Sequence, residues 1–191
     1  MKRWIRSAKE TLEFDNEGNA VPPEIAAALR NSKVRNRKGQ LIACYHGTNA
    51  EFNQFKEEFI SQSSGNIGWF GKGFYFTDNI KLASSYGSIL KRCYLNITNP
   101  FVYSSEDSIY TLFSLGVEPR IYDGRLQPYA YLDNEEPIEI FTKAVKEAGF
   151  DGVKFSYRQA KYRSQTRGAS NATEYVCFRP DQVHFLHAEE A

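Results

Sequence analysis

The spacing of apolar residues changes along the chain, and each change marks an element. Ile138, Ile140, Phe141, Ala144, Val145 and Ala148 recur at helical intervals, and Gly149 follows where a helix cap belongs. A strand is predicted next, over 150–156. Residues 41–45, Leu-Ile-Ala-Cys-Tyr, form a short apolar run suited to a buried strand, with His46-Gly47-Thr48 directly behind it. Phe74-Tyr75-Phe76 has strand composition, and Asp78 reads as the cap of a helix reaching about Tyr86. Residues 90–97 read as a strand stopped by Asn99-Pro100, and 101–103 as its continuation or the next one. Glu174-Tyr-Val-Cys-Phe begins the last clear strand, with 183–186 as an extension of the sheet. Pro22 and Pro23 open a short helix over 24–30, since proline is tolerated in a first turn. The Ser- and Gly-rich stretch 61–73 suits a surface loop, and 104–136 shows no clear pattern. Without an internal repeat, these elements predict a single α+β domain of short strands over 32–191, preceded by a helical extension over 1–31.

Composition narrows this picture modestly. The 191 residues suffice for one well-buried core, and 41% hydrophobic with 15% aromatic content excludes a disordered chain. A net charge of +1 argues for neither a polyanion nor a membrane partner. No signal-like apolar run follows the basic start and none is long enough to span a bilayer, so a soluble, cytoplasmic protein is expected. Cys44, Cys93 and Cys177 are odd in number, form no Cys-x-x-Cys pair and read as buried reduced thiols. His184 and His187 lack companion ligands, so no metal is expected.

Singly, the chemistry-bearing residues have plain explanations. A histidine at a strand end is ordinarily a hydrogen-bonded structural residue, an aromatic in a strand is ordinarily core, and a glutamate opening a strand is ordinarily exposed. The set is more specific: His46-Gly47-Thr48 after an apolar strand, then Gly71-Lys72-Gly73-Phe74-Tyr75-Phe76-Thr77-Asp78, then Tyr86, then Glu174-Tyr175-Val176. Lys72 between two glycines suggests a phosphate cradle, but the segment leads into a strand and lacks the Walker spacing.

These residues resemble the His-Tyr-Glu signature of the diphtheria-toxin and poly-ADP-ribose-polymerase clade of ADP-ribosyltransferases. Gly71 to Asp78 is similar to the polymerases' Gly-Lys-Gly-Ile-Tyr-Phe-Ala-Asp stretch, and Tyr86 has the spacing of their second nicotinamide-stacking tyrosine. Ser32-Lys-Val-Arg-Asn through Tyr45-His-Gly-Thr, with Asn99-Pro-Phe-Val and Gly149-Phe-Asp-Gly-Val, resembles the transferase domain of phage polyvalent proteins. The resemblance implies a split β-sheet core with flanking helices, NAD+ as substrate, and His46, Tyr75 and Glu174 as catalytic residues. His46 would bond the nicotinamide-side ribose, the Gly47 backbone the carboxamide, and Tyr75 and Tyr86 would sandwich the ring. Thr48, Gly73, Ala83 and Ser84 complete the implied NAD+-binding set. Ala83 departs from the polymerases, which usually place a serine there, although Ser84 is adjacent. Ala172, two before Glu174, stands where arginine-modifying toxins carry Glu or Gln, which disfavours arginine as acceptor.

Loss of nicotinamide leaves positive charge on the ribose, and a fixed carboxylate beside it lowers the energy of that species. The loop before Glu174 shapes acceptor choice in the superfamily. Here 154–167 carries Lys154, Arg158, Lys161, Arg163 and Arg167 with no acid, interleaved with aromatics including Tyr162. Arg158, Lys161, Tyr162, Arg163 and Arg167 are candidate acceptor-binding residues for a nucleic acid, especially RNA, with protein as the alternative. A solvated loop is the plain reading of the same residues. A second basic run, Arg30, Lys33, Arg35, Arg37 and Lys38, strengthens the nucleic-acid reading if both lie on one face. Toxins and phage-conflict effectors with this size and signature imply an antitoxin or immunity protein as partner. The rivals are an RNA 2′-phosphotransferase, which needs more His and Arg in its motifs, a catalytically silent NAD- or nucleic-acid-binding module, and a structural virion protein.

Overall fold

The computed structural model describes residues 12–60, 68–103, 106–122, 125–126, 136–159 and 168–186. A small hairpin of β1 (Glu13–Phe14) and β2 (Ala20–Val21) comes first, then α1 (Pro23–Ala28). β3 (Cys44–Thr48), β4 (Phe74–Thr77), α2 (Ile80–Ala83), β5 (Ile89–Leu95) and β6 (Pro100–Val102) follow. The middle of the chain holds α3 (Glu106–Ser114) and a second hairpin of β7 (Ile121–Tyr122) and β8 (Arg125–Leu126). The described chain ends with α4 (Glu136–Glu147), β9 (Gly152–Ser156), β10 (Thr173–Cys177) and β11 (Val183–Phe185).

Seven strands form one mixed sheet in the order β11-β5-β3-β4-β10-β9-β6, antiparallel throughout except for β6 beside β9. The expected α+β class is what the chain adopts. β3 runs with β5 along its whole length but meets β4 only where Tyr45 faces Thr77. Beyond that point the two strands part, and His46, Gly47 and Thr48 continue along the separated side.

Strand alternation distributes the core over both faces. Val153, Phe155 and Val176 face one way and pack with Leu112 of α3 and Ile138, Phe141 and Val145 of α4. Phe74, Phe76, Tyr175 and Cys177 face the other way and pack with Phe55, Cys44 and Cys93. All three thiols are buried and free, as expected, and burial pushes Cys44 and Cys177 well above the usual thiol range and Cys93 up to about 12. They are protonated at neutral pH and therefore poor nucleophiles.

α4 ends as its sequence predicts. Gly149 takes φ +86°, its N–H donates to the Lys146 carbonyl, and that of Phe150 reaches back to the Val145 carbonyl, the two bonds of a Schellman cap. Ile140 departs from the expected stripe: it is 48% exposed, while Ile138, Phe141 and Val145 are fully buried and Thr142 is buried beside them. Helix α2 is much shorter than expected. Asn79, rather than Asp78, caps it by accepting from the Leu82 N–H at 3.0 Å, and the Ser84 and Ser85 hydroxyls bond back to the carbonyls of Ile80 and Leu82. Serine side chains compete in this way with continued helix, so the chain turns at Ser84–Ser85 and releases Tyr86. The strand expected over 41–45 begins instead at Cys44, because Leu41 is used in a bridge with Arg35.

The segment expected as a helical extension contains both the first hairpin and α1. Its Val21 and Leu29 pack with Leu41, Ala43 and Tyr94. Asp15, fully buried, fastens the hairpin to the sheet: its carboxylate accepts from the backbone N–H of Glu17 and Asn19, the Arg92 guanidinium at 2.7 Å and the Tyr94 hydroxyl at 2.8 Å.

Candidate active site

The site lies where β4 and β10 run side by side next to the parting of β3 from β4. Register places Glu174 opposite Thr77 on β4 and Phe155 on β9, and Val176 opposite Tyr75. Paired residues share a face and side chains alternate along a strand, so Glu174 and Tyr75 are diagonal neighbours on the α4-covered face. Glu174 is only 4% exposed. The Tyr157 hydroxyl donates to its Oε2 at 3.1 Å, and the Tyr86 hydroxyl lies close enough to the carboxylate to influence its ionisation. Burial pushes the Glu174 carboxyl up to about 7, the Tyr157 bond and the neighbouring Tyr86 hydroxyl offset part of that rise, and the nearby Asp78 adds to it.

Tyr75 is fixed at its outer end. Its hydroxyl donates to the Gly71 carbonyl at 2.7 Å and accepts from the Phe70 N–H at 2.9 Å, so the ring braces the Phe70–Gly71 turn. Gly71 holds φ +107°, a conformation open to glycine and costly for other residues. The His46 ring packs against Phe52, Phe55 and Phe76, and its Nδ1 lies 2.8 Å from the Tyr75 carbonyl oxygen. A carbonyl only accepts, so Nδ1 carries the proton. Burial lowers the His46 pKa, with the Tyr75 bond opposing it, which favours the neutral ring and leaves Nε2 as an acceptor. The histidine thus joins the cluster through the backbone of Tyr75.

The other expected residues divide by what they touch. The Gly47 backbone is pressed against α2: a Cβ there would sit 1.8 Å from the Ala83 carbonyl oxygen, so only glycine fits. Ala83 is buried in that contact, and the Ser84 hydroxyl is committed to the helix. The Thr48 hydroxyl accepts from the Ala50 N–H. Gly73 makes the close approach of β4 to β10, where a Cβ would meet the Cys177 carbonyl oxygen at 2.5 Å. Lys72 pairs with Glu139 of α4 at 2.6 Å, and its N–H donates to the Thr142 hydroxyl. Asp78 accepts from the Thr173 N–H at 2.7 Å and so anchors the strand carrying Glu174.

Of the proposed acceptor strip, Arg158 is exposed, whereas Lys161, Tyr162, Arg163 and Arg167 lie outside the described residues. Phe155 and Tyr157 are buried, which removes them as base-stacking aromatics. The condition that both basic runs lie on one face finds no support among the described residues. Arg30, Lys33 and Arg35 line a cavity of about 470 Å³ beside Thr98, whose N–H bonds Asp151 just before β9, while Arg158 follows the other end of that strand. Tyr157 falls within the basic stretch 154–167, and extending the β9 alternation from Val153 through Phe155 by one step places it inward beside Glu174. No cluster of three or more His, Cys, Asp or Glu suited to a metal occurs among the described residues.

Chemically, the Glu174 carboxylate is a buried acceptor with the half-exposed Tyr86 nearby, while the His46 ring packs with Phe55 and Phe76 of the opposite face and meets Tyr75 through its backbone carbonyl. A carboxylate in such a dry setting stabilises adjacent positive charge far better than one in water.

Residues 36–190 match the family described as ADP-Ribosyltransferase in polyvalent proteins. Two solved structures are similar. One is the crystal structure of an anti-CRISPR protein, at 14% identity and TM-score 0.39 over 75% of this chain and 94% of that one. The other is the crystal structure of the M. tuberculosis MbcT-MbcA toxin-antitoxin complex, at 12% identity and TM-score 0.42 over 76% and 81%. No curated protein sequence matches. With the family match spanning most of its length, this chain belongs to the ADP-ribosyltransferase family of polyvalent proteins.

Proposed function

We propose that the chain breaks the nicotinamide–ribose bond of NAD+ and transfers ADP-ribose to a macromolecular acceptor. The observation that carries this reading is the buried Glu174 carboxylate, held by the Tyr157 hydroxyl on the same face as Tyr75, whose backbone fixes the tautomer of His46. The C1′–N bond breaks with its electrons passing to the pyridinium, which departs as neutral nicotinamide and needs no proton. Ionised Glu174 stabilises the positive charge left on the ribose, His46 Nε2 accepts from a ribose hydroxyl, and the Tyr75 and Tyr86 rings hold the nicotinamide. The acceptor's lone pair then forms the new bond at C1′ as its proton leaves.

The carboxylate acts only when ionised. With Glu174 at about 7 and His46 neutral above its lowered pKa, kcat/KM for NAD+ should rise about tenfold per pH unit below pH 7 and level off above it. A profile flat from about pH 5.5 to about pH 8 would show that Glu174 does not control the free enzyme.

Nucleic acid is the acceptor class favoured by the five basic residues and no acid of 154–167. Incubation with labelled NAD+ and cell lysate, followed by separation of RNA, DNA and protein, tests it: label in RNA or DNA supports the reading, and label confined to protein removes it. The biological role proposed is that of a toxin or phage-conflict effector countered by an antitoxin. Expression should arrest growth, Glu174→Ala should relieve the arrest, and harmless expression of active enzyme would contradict the role.

A further inference from the structure

Residues 32–35 follow α1 and run beside the chain at the end of β5. The Lys33 N–H donates to the Ile97 carbonyl at 2.7 Å, the Ile42 N–H to the Val34 carbonyl at 3.1 Å, and the Ser32 hydroxyl to the Leu95 carbonyl at 2.7 Å. Alternation along this run buries Ser32 and Val34 and turns Lys33 and Arg35 to the other side. There, with Arg30, Asn31 and Thr98, they line the cavity of about 470 Å³.

The three cations differ in what they already hold. Arg35 is committed: its guanidinium pairs with Glu13 at 2.6 Å and bonds the carbonyls of Gly39 and Leu29, so it braces the wall. Asp151, the carboxylate behind Thr98, is satisfied by the Thr98 N–H and hydroxyl and the Asn99 N–H, each at 2.7 Å. Arg30 and Lys33 are exposed, and among the described residues their charged heads take part in no hydrogen bond or ion pair. Two uncompensated cations on one braced wall are relieved by an anion that reaches both. The lining also narrows which anion. Among the described residues it includes no aromatic or large apolar side chain, so it offers neither a base-stacking platform nor the apolar centre of a protein interface. A guanidinium fork, an amide and an ammonium are donors that suit phosphate oxygens and read no base sequence.

We propose that this cavity is a binding site for the sugar-phosphate backbone of a nucleic acid, with Arg30 and Lys33 as its phosphate ligands, at the far end of β9 from Arg158. It is separate from the Glu174 site and needs no NAD+. The proposal therefore stands whether or not the chain cleaves NAD+.

Fluorescence anisotropy of a dye-labelled oligouridine, titrated with the full chain over a range of salt concentrations and without NAD+, tests it. Each phosphate contact to a single strand contributes about 0.7 to the slope of log affinity against log salt. Arg30→Gln and Lys33→Gln should each lower that slope by about 0.7 and raise Kd several-fold, and the double variant should lose about 1.4 and bind about tenfold or more weakly. Both side chains are exposed, so urea unfolding of the variants should match the wild type and exclude misfolding as the cause. Oligoadenosine should behave as oligouridine does. No measurable oligouridine binding by the wild type at low salt, or an unchanged slope and affinity in the double variant, overturns the site. Polyglutamate that binds as tightly as oligouridine and loses as much in the double variant overturns the assignment to phosphate. Uridine monophosphate that displaces the oligonucleotide at equal nucleotide concentration overturns the assignment to a backbone.

Discussion

Glu174→Gln is expected to lower ADP-ribose transfer by about 100-fold or more while leaving NAD+ affinity within a few-fold of wild type. The substitution keeps the shape and one acceptor oxygen but removes the charge. Tyr157 retains an oxygen to donate to, and the site loses only the charge that faces the cationic sugar. An effect confined to the transition state lowers kcat and kcat/KM together and spares substrate binding. Steady-state kinetics with a direct binding titration separates the two. Equal losses in affinity and rate would mean that Glu174 is a ground-state ligand and that another group carries the chemistry.

The largest stability effect should come from Asp15→Ala, about 3–5 kcal/mol, because removing one partner leaves buried polar groups without compensation. Arg92 loses one carboxylate and keeps Glu17, but the buried Tyr94 hydroxyl and two turn N–H groups lose their acceptor together. Burial alone would raise the Asp15 carboxyl, and the bonds from Asn19, Tyr94 and Glu17 outweigh it and hold the group below the usual carboxylate range. Its contribution is therefore complete above the ordinary value of 3.8 and fades as pH falls through the lower folded value. Urea unfolding at neutral pH measures the loss, and Asp15→Asn, which keeps one oxygen acceptor, should lose less. A change under about 1 kcal/mol for Asp15→Ala would mean that the hairpin is not fastened to the sheet as described.

What could be read from the chain beforehand followed from strong local physics. The stripe through Ile138, Phe141 and Val145, the Gly149 cap, and the strands around Tyr75 and Glu174 each depend on periodicity or on a backbone conformation that one residue type favours. His46, Tyr75 and Glu174, from three strands, were singled out because they carry a signature as a set, and their spatial relation has no mark in the sequence. That His46 joins through the Tyr75 carbonyl depends on where β3 parts from β4, a long-range pairing with no local mark. Helix α2 was overextended because the back-bonding of Ser84 and Ser85 looks, in sequence, like ordinary polar helix surface. The inward position of Tyr157 follows from the period-two alternation of Val153 and Phe155, which the basic composition of 154–167 masks. Whether the two basic runs share a face has no local mark in the sequence, and β9 lies between Arg30 and Lys33 near one end and Arg158 at the other.

Nicotinamide release is the most direct measure of the central claim. Purified wild-type chain and Glu174→Gln, both verified as folded, are incubated with NAD+ and a complete cell lysate, and free nicotinamide is quantified with time. The wild type should release nicotinamide steadily with matching ADP-ribose on an acceptor, and the variant should fall to about one hundredth of that rate or less. Intact NAD+ in the wild-type reaction, or equal release by both proteins, would contradict the account.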